Sequence, residues 1–165
     1  MAVTIDYTKG AAGAAYPASN IPTIFVMEQT LDFAATNSAA GDDCQALQIR
    51  AGSYVSLAGL EIIVVEGGTA TGDLGDGDNA DGYLDGVDLD ATNGDFFSSR
   101  LTWVIGVGTG DIDTVAPAAA LYGTLGGKFY TADDTIDLTT VNAMDTGKMR
   151  VFAIVFDCTG RGLSA

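Results

Sequence analysis

The chain has 165 residues, a length that suits one domain, and its 47% hydrophobic content is enough to build a core. The net charge of −15 argues against nucleic acid and anionic membrane surfaces as partners, because both would repel the chain. Histidine is absent. Its absence removes the usual general base near neutral pH, so we expect a protein without enzymatic activity.

The choice of acidic residue points to a β fold with many turns. Only three of the 22 acidic residues are glutamate (Glu28, Glu61 and Glu66), and the other 19 are aspartate. Aspartate favours turns and caps because its side chain hydrogen-bonds the nearby backbone, whereas glutamate is a fair helix former. Together with 22 glycines and 3 prolines, this composition is typical of short strands separated by turns.

Residues 1–22 differ from the rest of the chain in composition. Small residues, glycine and proline follow one another there without a regular period, which predicts an extended arm or an edge segment. Its apolar side chains are the candidates for contact with a partner or a neighbouring copy: Val3, Ile5, Tyr7 and Tyr16. The first three alternate as in a strand, so the segment either adds to another protein's sheet edge or completes the chain's own sandwich. No signal-peptide pattern is present, and we expect assembly in a cytoplasm.

Residues 23–165 are predicted to form a single β-sandwich domain. Apolar runs bounded by turn residues indicate eight or so strands, at 23–33, 44–49, 54–65, 69–74, 100–107, 128–131, 135–138 and 149–158. The segment 115–125 is the one candidate for a helical turn. Strands of this number and length favour two packed antiparallel sheets, and we expect a jelly roll, with an immunoglobulin-like sandwich as the alternative.

Period-2 alternation also predicts which side chains of the long strands point inward. The inward set is Leu60, Ile62, Val64, Trp103, Ile105, Val151, Ala153 and Val155. The alternate positions face outward, where we expect a loop, a neighbouring subunit or a partner to cover them: Ile63, Val65, Phe152 and Ile154. Within the same long strand, Ala58 and Gly59 indicate a bulge or bend.

The stretch 73–95 is the most distinctive region, because it holds eight aspartates and no basic residue. Clustered carboxylates suit Ca²⁺, and Asp76, Asp78 and Asp81 are the candidate ligands. An EF-hand loop beginning at Asp76 is excluded, because Ala80 occupies its fifth position and Asp81 stands where glycine is required. The alternative, which we expect, is a long solvated loop at about 73–95 whose Asp-Gly pairs form tight turns, with no cofactor.

Two further features have simple structural explanations. Asp145-Thr146-Gly147 matches the core of the aspartic-protease signature, but it lacks the strong apolar strand before the triplet and the Ser or Ala after it. A turn is therefore predicted there. Cys44 and Cys158 are too few for a metal or redox motif, and we predict two buried free thiols, with a disulfide as the alternative.

Residues 42–90 resemble a pattern common in phage structural proteins. The matching residues are the run 72–89 and, before it, Leu47, Ile49, Ala51, Gly52, Val55, Gly59, Leu60, Glu61 and Ile62. The stretch resembles the head-decoration, or cement, proteins of tailed bacteriophages, which are β-rich and often trimeric. The resemblance implies a virion protein on the outer head surface, assembled in the host cytoplasm. It would bind the major capsid protein, form a homotrimer and bridge neighbouring capsid subunits, and no catalytic residue comes with it.

A second class of function is a carbohydrate- or receptor-binding module on a phage tail or fibre. Exposed tryptophan or tyrosine platforms would favour that function. Trp103 is the single tryptophan, and it lies in an apolar strand where burial is expected. We therefore rank this function below head decoration.

Overall fold

The computed structural model describes residues 4–6, 24–99, 122 and 125–158. Within them lie ten strands in two sheets. The strands are β1 (Thr4–Asp6), β2 (Ile24–Asp32), β3 (Asp43–Ile49), β4 (Ser53–Val64), β5 (Thr71–Asp76), β6 (Leu84–Asp88), β7 (Phe96–Ser98), β8 (Lys128–Phe129), β9 (Asp134–Thr140) and β10 (Lys148–Asp157). No helix in this part of the chain is long and apolar enough to cross a membrane.

The two sheets have the strand order of a jelly roll. One, the β3 sheet, runs β1-β3-β9-β5-β6, and the other, the β10 sheet, runs β2-β10-β4-β7, with β8 also paired to β4. Without β1 and β8, eight strands remain, and we renumber them one to eight in chain order. The β3 sheet then has the strand order 2-7-4-5, and the β10 sheet has the strand order 1-8-3-6. This is the jelly-roll arrangement of two Greek keys. The predicted all-β sandwich is confirmed, with the jelly roll rather than the immunoglobulin-like order.

The core lies between the sheets, and β10 shows why these residues form it. Along β10 every second side chain is buried, as alternation in a strand requires, and β10 pairs antiparallel with β2 on one side and β4 on the other. Val151, Ala153 and Val155 are fully buried, as predicted, and so are Leu60 and Ile62 of β4. Trp103 and Ile105 lie outside the described residues.

Two bulges in β4 change the faces of its side chains. At the first bulge, Val55 and Leu57 pair with the consecutive residues Val155 and Ile154, so Ser56 is an extra residue. At the second bulge, Ile62 and Val64 pair with Met149 and Lys148, so Ile63 is extra. The second bulge reverses the alternation. Val64, predicted to point inward, is therefore 41% exposed.

Gly59 does not form the bulge predicted at Ala58 and Gly59. It pairs regularly with Phe152. A Cβ atom at this position would overlap the Phe152 ring and the carbonyl oxygen of Phe97, so the glycine provides a close approach rather than a bend.

The acidic stretch 73–95 is not one long loop. It contains the end of β5 and all of β6, which form an antiparallel hairpin. The apolar residues between the aspartates explain the difference, because Leu74, Tyr83, Leu84 and Val87 are all buried in the core. Aspartates alternate with them and remain at the surface of the hairpin, apart from the buried Asp76.

At the N-terminus, β1 adds to the β3 sheet as a short parallel strand. Ile5 pairs with Cys44 and packs, half-buried, against the core. The other candidate contact residues of the predicted arm, Val3, Tyr7 and Tyr16, lie outside the described residues, so their role remains a prediction. The predicted helical turn at 115–125 is represented only by Tyr122 and Leu125, both of which are helical.

Candidate docking faces and charged clusters

Charge is divided unequally between the two sheets. The strands of the β3 sheet carry eight acidic residues and no basic one: Asp6, Asp43, Asp73, Asp76, Asp85, Asp88, Asp134 and Asp137. The strands of the β10 sheet carry four acidic and three basic residues: Glu28, Asp32, Glu61, Asp157, Lys128, Lys148 and Arg150. The sandwich therefore has one strongly acidic sheet and one sheet close to neutral.

Three acidic side chains of the β3 sheet, Asp43, Asp73 and Asp137, lie close together on its outer face. Thr139 of β9 pairs with Asp43 on one side and Asp73 on the other, and its hydroxyl donates to Asp43 Oδ1 at 2.8 Å. Asp137 lies two residues away on the same face, and its Oδ1 is buried without a hydrogen-bond partner among the described residues. Burial raises the pKa of Asp137 to about 6; Thr135 opposes this shift by hydrogen bonding, and nearby carboxylates add to it.

Asp76, the first candidate Ca²⁺ ligand, is the centre of a buried polar cluster. Its Oδ2 accepts from Lys128 Nζ and from the Tyr130 hydroxyl, both at 2.7 Å. Its Oδ1 accepts from the Tyr122 hydroxyl at 3.0 Å and from two backbone amides of the following turn. Because Tyr130 gives its only proton to Asp76, the Tyr83 hydroxyl donates to Tyr130, 2.9 Å away.

Lys128 supplies the positive charge of this cluster. Its ammonium also donates to Asp78 Oδ2 at 2.8 Å and lies 4.9 and 4.6 Å from the ring centres of Tyr122 and Tyr130. Burial lowers the pKa of Lys128, but hydrogen bonds to Asp76 and Asp78 outweigh burial and hold it above its usual value. Tyr122, Lys128 and Tyr130 are each about 50 residues from Asp76 along the chain. No local pattern in the sequence therefore indicates that they contact Asp76.

The carboxylates that the structure brings together differ from the predicted Ca²⁺ set. Asp76 and Asp78 lie close to Asp134, with one oxygen of each within 4.8 Å of the others. Asp81 is exposed and is not in this group. A cation bound here would have to displace or sit beside the Lys128 ammonium, which already balances two of the carboxylates. We therefore still expect no cofactor here, with Ca²⁺ as the alternative.

The Asp145-Thr146-Gly147 triplet forms a turn that binds a carboxylate. The amides of all three residues donate to the Glu66 side chain, at 2.6 Å from Asp145 and 2.5 Å from Gly147. The Thr146 hydroxyl donates to the backbone carbonyl of Glu66 at 2.5 Å. Successive amides of a turn make such an anion-binding concavity. The triplet thus joins the loop after β4 to the start of β10, and the Asp145 side chain is exposed.

The two cysteines differ in environment, although both are free. Cys44 is fully buried, and burial raises the pKa of its thiol to about 12. Cys158 is exposed just after β10, so the prediction that it is buried is wrong. The strand alternation places Cys158 one residue beyond Asp157, the last buried position of β10.

The outer face of the β10 sheet is apolar at one end. Strand pairing puts Phe129, Tyr54, Phe156 and Ile24 in one row across four strands and Leu57, Ile154 and Val26 in the next. We call these seven side chains the apolar face. Ile24, Val26 and Phe129 are 64%, 62% and 52% exposed.

The other end of the same face is polar and ion-paired. Arg150 lies between Glu28 and Glu61 and contacts both, and Lys148 Nζ is 2.7 Å from Asp32 Oδ2. Between the two ends, the rings of Phe96 and Phe152 stack with centroids 4.6 Å apart. Phe152 and Ile154 face outward, as predicted, but Phe152 is covered in part by Phe96.

Comparison with solved structures finds the same fold in phage capsids. A chain of the Ralstonia phage GP4 capsid superposes with a TM-score of 0.54 at 12% identity, over 94% of this chain and 98% of that chain. A chain of the cyanophage Pam1 capsid asymmetric unit gives 0.51 at 14% identity, over 88% and 93%. The likeness is one of fold. No protein-family model and no curated protein matches the sequence.

Proposed function

We propose that this protein is a bacteriophage virion structural protein that binds the outer surface of the head and bridges neighbouring capsid subunits. The observation that carries the proposal is the unequal chemistry of the two outer faces. A protein lying flat on a shell needs one face suited to protein contact and one suited to water, and the apolar face and the acidic β3 sheet provide these.

The fold supports this proposal. Two chains from phage capsid structures match the jelly roll over nearly their full length and nearly the full length of this chain. The residue chemistry agrees with a structural rather than a catalytic role, since the chain has no histidine and the Asp145 triplet serves to hold Glu66. Attachment through several weak contacts on one particle would gain avidity without any single strong site.

We propose in addition that the copies are grouped as trimers, and that the segment 1–22, apart from β1, reaches a capsid subunit or a neighbouring copy. A closed ring hides strand edges, and a three-fold position on a shell has the matching symmetry. Deleting residues 1–22 tests the arm. Loss of head binding with an unchanged melting temperature supports it, whereas a large fall in stability assigns the segment to the fold.

Co-sedimentation with heads tests the main proposal. Heads depleted of the protein are mixed with purified protein, and the bound amount is measured after pelleting. We expect saturable binding with a fixed number of copies for each head. Binding to tails alone, or to neither part of the virion, would overturn the proposal.

A further inference from the structure

We infer that the apolar face is the surface that docks on the shell, and that its partner is a capsid subunit surface with an apolar centre and a basic edge. This inference rests on the proposed function, which it deepens by naming the face and the chemistry of its partner. The apolar face, defined above, spans β2, β10, β4 and β8.

The apolar face is a contiguous patch rather than a set of isolated exposed residues. Its seven side chains occupy adjoining positions in two rows, and neither row contains an acidic or basic residue. Three of its side chains, Ile24, Val26 and Phe129, are more than half exposed in a chain with 22 acidic residues. Exposed patches of this kind mark protein contact sites.

Charge decides between the possible occupants of the face. Beyond the row of Phe152, at the other end of this face, the two basic side chains are already paired with acids, Arg150 with Glu28 and Glu61 and Lys148 with Asp32. The edge of the face is therefore acidic in sum, and the whole chain carries −15. A partner with lysine or arginine around an apolar centre complements this arrangement, whereas a second copy would bring the same negative charge.

The opposite side of the sandwich gives the orientation. When the apolar face lies on the shell, the β3 sheet, whose strands hold seven acidic residues besides the buried Asp76 and no basic residue, points outward into water. Seven residues make the centre of an interface, which in a standard complex has roughly 20–30 residues on each side. A single contact of this size is weak, so the docking depends on many copies or on further contacts.

The experiment uses the full chain with Ile24→Asp and Val26→Asp combined. Both side chains are well exposed, so the fold should be kept, and an unchanged melting temperature checks this. Binding to depleted heads should weaken by about tenfold or more, because an unpaired charge buried in a desolvated interface costs at least that much. Val141→Asp, at a 50% exposed apolar position away from the face, is the matched control and should bind as the wild type does.

A second variant, Phe129→Asp, tests the same face from its other edge and serves if the double variant is unstable. Wild-type binding should also weaken as salt is raised, because the proposed partner edge is basic. Wild-type binding with no effect of either variant would overturn this inference and leave the proposed function standing. No binding by the wild type would overturn both. Salt-independent binding, or dissociation of a wild-type oligomer by the double variant in light scattering, would overturn the partner chemistry.

Discussion

Replacing Asp76 with asparagine should lower the free energy of unfolding by about 3–5 kcal/mol, the cost of breaking a buried ion pair by removing one partner. The Asp76 side chain is fully buried, and Lys128 is only 12% exposed. Without the carboxylate charge, Lys128 keeps one ion-pair partner, Asp78, which is 79% exposed and screened by water. The hydroxyls of Tyr122 and Tyr130 also lose their charged acceptor.

Urea unfolding followed by circular dichroism measures this loss directly, and the melting temperature should fall by roughly 6–20 °C for a domain of this size. Asp78→Asn is the matched control, because it removes an exposed carboxylate from the same lysine and should change stability little. Adding Lys128→Met to Asp76→Asn should recover part of the stability, since no buried charge is then left unpaired. Equal losses of stability from the Asp76 and Asp78 variants would show that the buried ion pair is not what stabilises this cluster.

Three other predictions concern the charged groups. Asp137→Asn should stabilise the protein at pH 8 by about 1 kcal/mol, allowing for partial exposure. Burial raises the pKa of Asp137 to about 6, so at pH 8 the ionised carboxylate costs the folded state stability, and asparagine removes that charge. That gain should shrink as the pH falls below 6; a gain that is the same at pH 8 and pH 5 would contradict it. Glu66→Gln should cost about 1–3 kcal/mol in urea unfolding, because the amides of the 145–147 turn lose a charged acceptor; an unchanged midpoint would show that the turn does not need it. Chelation of Ca²⁺ should leave the melting temperature unchanged, because Lys128 already occupies the carboxylates; a lower value with chelator would reveal a bound ion.

The parts of the fold that follow from local alternation were predictable from the sequence. Val151 and Val155 are buried because apolar residues alternate along β10 without interruption. In any sheet, such alternation places every second side chain on the same face. Val64 was not predictable, because the bulge at Ile63 depends on the pairing of β4 with β10 and leaves no mark in the sequence. The 73–95 stretch forms a hairpin where the sequence predicts a loop, because its aspartates conceal the alternation of Leu74, Leu84 and Val87.

The clusters depend on contacts between distant parts of the chain. Asp76 could be identified as unusual from the density of acids around it, but its partner Lys128 lies 52 residues further on. The turn at Asp145 was predicted, whereas its ligand Glu66 was not, since the two are 79 residues apart. The apolar face is also a product of register, because its residues come from four strands whose neighbours in the sheet are not neighbours in sequence.

Cryo-electron microscopy of intact virions tests the central claim most directly. We expect density for a two-sheet sandwich on the outer surface of the head, with the β10 sheet toward the shell and the β3 sheet toward solvent. Density for the sandwich on the tail, or its absence from the virion, would contradict the claim that this protein is a head-surface component.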